Sequence, residues 1–418
     1  MSAPPPIIFA SRVLQFPAVT GAQLRTQRLL AGLCDVFEVS IVTYAHHPDS
    51  DEGATSAPDL RREFPQAHVV SVSGLSEHKR LLQLRSALGP RSWSHGRYRR
   101  RRFRVALAAE AARTGARLIH FDDAGTALNG PIAGVVNAVA PHNVEYRVAG
   151  EVAARETGTR RLFAEIDHRK LRREEPALWR RMDACVAISD VEAAIMRAAG
   201  ARHVLLAPNG TDPVARLPLA RRATGDPVRL LFVGTGSFQP NKHGLGWFVD
   251  EVLPRLRAHH VPFTVDIVGT PPARARSAPE VVYHGRVPAL EPYYSSAHVA
   301  VIPVHFGGGT RLKTIEAMAY GVPVVATRIG AEGLPIESGR HYLQADDPED
   351  FAAAIASLAH RQSEPGDELE RLVAAARASA ETLFWSRIAT QLCADYGELV
   401  DAVGSSRAGR RRSDRQRR

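Results

Sequence analysis

His305-Phe-Gly-Gly-Gly-Thr-Arg-Leu-Lys-Thr-Ile-Glu-Ala-Met-Ala-Tyr-Gly321 is the stretch from which the rest of the chain is read. Ahead of it, His298 to Val304 carries Val299, Val301, Ile302 and Val304 and reads as a buried strand. Gly307, Gly308 and Gly309 make a loop where backbone can approach a ligand closely. Thr310 is placed as an N-cap, and Leu312, Ile315 and Ala319 share one helical face. Gly321 ends that helix, Pro323 keeps it from continuing, and Val324 to Thr327 is the next strand of a βαβ unit. Arg311 and Lys313 set two cations where the helix dipole is already positive, at about 0.3–1 kcal/mol each. An anion bound at the helix start reverses that sign. The other reading is a solvated pair of charges, with Lys313 facing Glu316 at i,i+3. Loop and cations alone leave both open.

The chain of 418 residues is long enough for two domains, each with its own core. It is 44% hydrophobic and 23% charged, and no apolar run approaches the roughly 20 residues of a membrane helix. Met1 to Phe9 lacks the cationic start of a secretory signal. Cys34, Cys185 and Cys393 are odd in number and far apart, which suits a reducing compartment better than a disulfide framework or a metal site. The net charge of +10 is uneven: the last twelve residues hold seven arginines and one aspartate, which a disordered solubilising end explains. Gly96 to Arg104 holds six arginines with Tyr98 and Phe103, and fits either attraction to an anionic membrane or polyanion or a solvated face.

Outward from the opening stretch, strands and helices alternate. Ile7 to Ala10, Phe37 to Thr43, His68 to Val72, Arg117 to Phe121, Val135 to Ala140, Ala184 to Ile188 and Val204 to Ala207 read as strands. Ala22 to Cys34, Val105 to Arg113, Gly150 to Arg181 and Val191 to Ala199 read as helices, and His46 to Ala57 as a loop. A second series follows a polar, proline-containing linker at 217–227, with strands at Arg229 to Val233, Phe263 to Val268 and Val281 to His284. Such alternation predicts parallel, doubly wound α/β sheets, whose ligands sit at the carboxyl ends of strands. His142 and Asn143 fall at such an end. So does Gly234-Thr-Gly236-Ser237, with Asn241 and Lys242 at the helix start beyond it. Two glycine turns flanked by cations make a diphosphate site more credible than either alone.

The run Gly307 to Ala326 resembles the donor-site signature of retaining GT-B glycosyltransferases that use nucleotide sugars (group 1, family 4-like), in the subgroup with Gly-Gly-Gly-Thr-Arg-Leu-Lys. His142-Asn-Val-Glu145, Ile188-Ser-Asp190, Pro208-Asn-Gly-Thr-Asp212, Phe232-Val-Gly234, Ile267-Val-Gly269 and His284-Gly-Arg-Val287 agree in order. The resemblance implies two Rossmann-like domains facing across a cleft. Residues 1–216 form the acceptor side, 217–227 the linker and 228–384 the donor domain. A helix at 385–403 crosses back to the N-domain, and 404–418 is a basic disordered tail. It further implies that Glu316 binds the ribose and that Arg311, Lys313 and Lys242 hold the diphosphate, with Gly234, Gly236, Ser237, Asn241 and Gly307 to Thr310 around the donor. Gly285, Arg286 and Val287 lie against the nucleobase, His142 near the reacting sugar, and Gly21 in a loop bordering the acceptor. Two positions depart from the pattern: Gly308 stands where a glutamate is common, and Gly234-Thr235 where Gly-Arg is usual.

The expected activity is retaining transfer of a sugar from a nucleoside diphosphate sugar to a hydroxyl on a sugar, lipid or small molecule, without metal or resident cofactor. On this reading Arg311→Ala cuts donor turnover far more than folding. A GT-B epimerase and a non-catalytic nucleotide-sugar or polyanion binder are the alternatives. Two facing carboxylates for glycoside hydrolysis are missing from the glycine loop. A cytoplasmic protein is expected, peripheral on the inner face of the cell membrane through 97–104, with no nucleic acid partner.

Overall fold

The computed structural model describes residues 4–45 apart from 13, 17 and 19, then 57–73, 83, 86, 88–215, 217, 219–223, 225–363 and 366–416. The loop assigned to His46 through Ala57 lies largely outside these residues. Contacts divide the chain into two compact units, Met1–Pro208 with Ser386–Arg418, and Asn209–Trp385.

The strands of the first unit are β1 (Pro6–Ser11), β2 (Glu38–Tyr44), β3 (His68–Val72), β4 (Leu118–Phe121), β5 (Val136–Val139), β6 (Ala184–Ala187) and β7 (Val204–Leu206). They pair in parallel in the order β3-β2-β1-β4-β5-β6-β7. Parallel strands covered on both faces need near-continuous apolar sequence, and β4, β5 and β6 are buried at every residue. Chain direction across the sheet reverses between β1 and β4, and the crevice at such a switch point is where doubly wound sheets take ligands.

Three details differ from expectation. Gly21 is the first residue of the helix Gly21–Cys34 rather than part of a loop. Thr20 and Gln23 close a capping box that starts the helix there. The charged region expected as one helix from Gly150 is two, Glu145–Arg155 and Gly158–Arg181, broken where Gly158 takes φ +57°. The C-terminal helix runs from Trp385 to Gln416, so the tail expected to be disordered from 404 continues it. Nothing between 404 and 416 is proline, and arginine favours helix. This helix packs on the first unit. A Cβ on Gly32 would lie 2.2 Å from that of Ala389, and the Tyr396 hydroxyl is 2.6 Å from His120 Nδ1.

The second unit holds β8 (Val228–Val233), β9 (Phe263–Val268), β10 (Val281–Gly285), β11 (Val299–Ile302), β12 (Val324–Ala326) and β13 (Leu343–Gln344). They run parallel in the order β10-β9-β8-β11-β12-β13, again reversing at the first strand. Alternation along β11 feeds two cores, Val299 and Val301 on one face and Ala300 and Ile302 on the other. The helix whose start is read at Asn241 and Lys242 begins at Gln239 and passes through a π turn at Phe248–Val252. A Cβ on Gly244 would meet Pro303 O at 2.1 Å, so this helix rests directly on the exit of β11. The stretch drawn as a linker from 217 belongs to the second unit's contacts. Arg221 pairs with Glu370, and Arg222 Nε donates to Ala359 O.

Candidate functional site

At the switch point of the second sheet, β8 leads into Gly234 and β11 leads to Gly307. Gly234 must lack a side chain: a Cβ there would lie 2.7 Å from Lys313 Nζ and 2.8 Å from Asn241 Nδ2. Asn241 is buried. Its amide donates to Thr235 O at 2.8 Å, and its Oδ1 accepts from Lys313 Nζ at 2.7 Å. The same ammonium sits 4.1 Å from the centre of the Phe232 ring. Lys313 belongs to the second glycine turn, yet its charge is delivered to the first.

Arg311 does something else. It is 7% exposed, and its guanidinium donates to the carbonyls of Phe306, Gly307, Gly308 and Ile329 at 2.5–3.3 Å. The arginine therefore holds the glycine loop in shape from inside. Gly307 at φ +106° and Gly309 at φ +79° give the curvature that points those carbonyls inward. The helix is Leu312–Tyr320 with Arg311 at the N-cap position, one residue later than the expected Thr310. Thr310 Oγ1 is buried without a hydrogen-bond partner and Asn209 Nδ2 reaches Thr310 O at 3.4 Å. The first-turn amides of such a helix have no intrahelical acceptor.

Glu316 stands one turn beyond Lys313, but the two form no ion pair. The Tyr294 hydroxyl donates to Glu316 Oε2 at 2.9 Å. Burial pushes the Glu316 carboxyl up to about 7; the Tyr294 hydrogen bond opposes this, Asp212 adds to it and Lys313 opposes it. Burial pushes the Lys313 ammonium down to about 7, assisted by Arg311 and opposed by Glu316. Both groups are thus poised to change charge when a ligand arrives.

The remaining donor-side residues sort themselves by place. Gly236 N–H donates to Thr270 O at 2.6 Å, and a Cβ there would strike Pro272 N at 2.4 Å. Ser237 is exposed. Gly285, at φ +69°, accepts from Gly269 N–H at 2.8 Å, Arg286 Nε reaches Thr270 Oγ1 at 3.3 Å, and Val287 packs on the core. Gly308 accepts from Arg311 through its carbonyl and brings no carboxylate. Lys242 is exposed and lines a separate cavity of about 600 Å³ with Gln239, Trp247, Arg274 and Tyr283. Asp212, close enough to Glu316 to shift its titration, was passed over in sequence although it ends the Pro208–Asp212 turn.

In the first unit His142 follows β5 at its carboxyl end. Behind it lies Asp122, past the end of β4, 3% exposed, accepting from Ser11 Oγ at 3.2 Å and Thr26 Oγ1 at 2.8 Å. His142 Nε2 is 3.6 Å from Asp122 Oδ2. The helix beginning at Glu145 is started by carboxylates from other helices. Glu175 accepts from the amides of Glu145 and Tyr146, and Glu192 from that of Val144. This fixes the backbone that carries His142. In the basic segment 97–104, Tyr98 and Phe103 are 4% and 0% exposed, so the surface it offers is arginine without the aromatic rings.

Residues 227–361 match the model of the family described as glycosyl transferases group 1. Two curated relatives are D-inositol 3-phosphate glycosyltransferases. That of Paenarthrobacter aurescens is 33% identical over 118 residues, 28% of each chain. That of Rhodococcus erythropolis is 30% identical over 177 residues, 42% of this chain and 35% of the relative. The matched segments therefore span less than half the length of these relatives. Among solved structures, sucrose-phosphate synthase from Thermosynechococcus elongatus superposes with a TM-score of 0.62 at 22% identity, covering 95% of this chain and 100% of that one. Anabaena HepE in complex with UDP-glucose gives 0.62 at 15%, covering 94% and 99%. The shared fold is GT-B, with two Rossmann-like α/β sheets. No helix among the described residues is long and apolar enough to cross a membrane.

Proposed function

We propose that this chain is a retaining glycosyltransferase that moves a sugar from a nucleoside diphosphate sugar to a hydroxyl acceptor, with the donor held by the second unit. The observation that carries this reading is the convergence of two glycine turns on one ammonium, Lys313 Nζ, at the switch point of the second sheet. A diphosphate there meets backbone without side chains, the amides of a helix start and a cation. Charge developing on the leaving diphosphate is stabilised by these fixed groups, so the reaction runs without a metal. Glu316, once deprotonated, accepts the ribose hydroxyls, and Gly285 to Val287 border the base. His142, on the first unit, is the residue that the resemblance assigns to the reacting sugar. The match to glycosyl transferases group 1 over 227–361 covers this donor site. The complexes of HepE with UDP and UDP-glucose make UDP-sugars the first donors to try.

The test is incubation of the purified protein with UDP-, GDP-, ADP- and dTDP-sugars and hydroxyl acceptors, followed by proton NMR of the product. The expected result is acceptor-dependent transfer with the anomeric configuration of the donor. Inversion, or conversion of the donor sugar without acceptor, contradicts it.

The acceptor is a sugar, polyol or lipid-linked hydroxyl worked on in the cytoplasm beside the membrane. The exposed Arg99, Arg101 and Arg102 support a charge-driven surface contact, since the aromatic side chains of this segment face the core. Flotation with vesicles is expected to depend on anionic lipid and to fall when these three arginines become glutamine. Binding to neutral vesicles would refute it.

A further inference from the structure

We infer that Asp122 is a positioning residue for His142, holding its imidazole in the tautomer that leaves Nδ1 without a proton. The inference rests on the reading that His142 stands beside the reacting sugar.

Asp122 is at the switch point of the first sheet, just past β4 and next to the exit of β1. Its Oδ2 accepts from Ser11 Oγ, on β1, and from Thr26 Oγ1, on the helix Gly21–Cys34. Its main-chain amide donates to Ala10 O at 2.9 Å. The carboxylate is therefore held by two hydroxyls, and its backbone by β1, before it meets any imidazole. Burial alone would raise its pKa, but the neighbouring His142 and His120 hold it below the usual carboxylate range. Arg25 and Arg12 also lie within its field.

Two imidazoles flank this anion, and only one can serve a ligand. His120 is 0% exposed, stacks on Phe9 at 4.7 Å and shares its Nδ1 with the Tyr396 hydroxyl. Burial lowers its pKa, so it stays neutral beneath the carboxylate. His142 turns Nε2 toward Asp122 at 3.6 Å, longer than a direct hydrogen bond. Its side chain is 10% exposed, and its Nδ1 is buried with no hydrogen-bond partner. A carboxylate accepts and does not donate, so it favours the proton on Nε2 and leaves the Nδ1 lone pair free. A buried nitrogen without a partner is unfavourable unless something arrives to satisfy it. A hydroxyl of the bound sugar or acceptor does so by donating to Nδ1. The carboxylate behind the ring touches no substrate; it sets which nitrogen the substrate meets.

The test has two arms. In the first, histidines are labelled with 15N and 13C and the His142 ring signals are assigned by their loss in His142→Gln. In spectra recorded where the imidazole carries a single proton, the wild-type protein is expected to show that proton on Nε2 of His142, and Asp122→Asn a mixture of tautomers. A proton on Nδ1 in the wild type overturns the inference, and this measurement needs neither a folded variant at position 122 nor any activity. In the second arm Asp122→Asn is expected to lower kcat about 10- to 100-fold with donor KM unchanged, within the coupling found between contacting residues. In a His142→Gln background the same substitution is expected to change kcat less than about 2-fold. Equal losses in both backgrounds would mean that Asp122 only supports the fold. Absence of transfer from every donor sinks the proposed function and leaves the NMR result to decide the tautomer.

Discussion

Lys313→Met is expected to lower kcat/KM for the nucleoside diphosphate sugar by about 10²–10³-fold, the loss typical of removing one donor aimed at developing charge. The same substitution is expected to raise Tm at pH 7. The ammonium lies against the Phe232 ring, with Asn241 as its hydrogen-bond acceptor. Burial lowers its pKa from 10.5 to about 7. Between those values the unfolded chain binds a proton that the folded chain has given up, so stability rises with pH across this window. The penalty is complete below about pH 7 and gone near pH 10.5. Methionine keeps the length of the side chain and abolishes the penalty, so its advantage in Tm is largest at and below pH 7 and shrinks toward pH 10. A lysine kept at the expense of stability is the signature of a binding group. A loss of activity accompanied by a loss of stability at pH 7 would mean that Lys313 is structural.

Arg311→Ala has the opposite signature. Its guanidinium satisfies the carbonyls of Phe306, Gly307, Gly308 and Ile329, and no water-exposed alternative exists for a residue 7% exposed. Leaving a buried acceptor unpaired costs about 1–3 kcal/mol. Truncation is therefore expected to destabilise the second unit by at least about 3 kcal/mol, lowering its unfolding midpoint by roughly 10 °C. Nucleotide binding is expected to be lost with it, since four carbonyls of and beside the glycine loop lose their shared donor. Arg311→Lys is expected to fail nearly as badly, because one ammonium cannot serve four carbonyls spread over a planar fork. An unchanged Tm with donor binding alone impaired would restore the arginine to the role of a phosphate ligand.

The contrast between these two cations shows what the sequence could and could not convey. Both stand in one helix turn, both are cationic and the dipole argument treats them alike. Only the path of the loop separates them: Gly307 and Gly309 fold the carbonyls back over Arg311, while Lys313 reaches across to Gly234. The Thr235 that stands where arginine is usual after the first turn is thereby matched by a cation arriving from the other turn. That both sheets are parallel and doubly wound was legible, because the apolar runs alternate with helices of the right length. β13, only two residues long, has no periodicity to read. Asp122 was missed because Phe121-Asp122-Asp123 is an unremarkable strand end until the sheet places it behind His142. Lys242 and the aromatic residues of 97–104 look functional in sequence because composition does not tell which way a side chain faces.

The central claim is that the two glycine turns and Lys313 hold a nucleoside diphosphate. Calorimetric titration of the wild-type protein and Lys313→Met with a nucleoside diphosphate and the matching monophosphate tests it most directly. The wild type is expected to bind UDP, or another of the four diphosphates, at least about 10-fold more tightly than the monophosphate, the effect of one well-placed charge-assisted contact. That preference is expected to vanish in Lys313→Met. No saturable binding of any diphosphate, or the same preference in both proteins, would contradict the account.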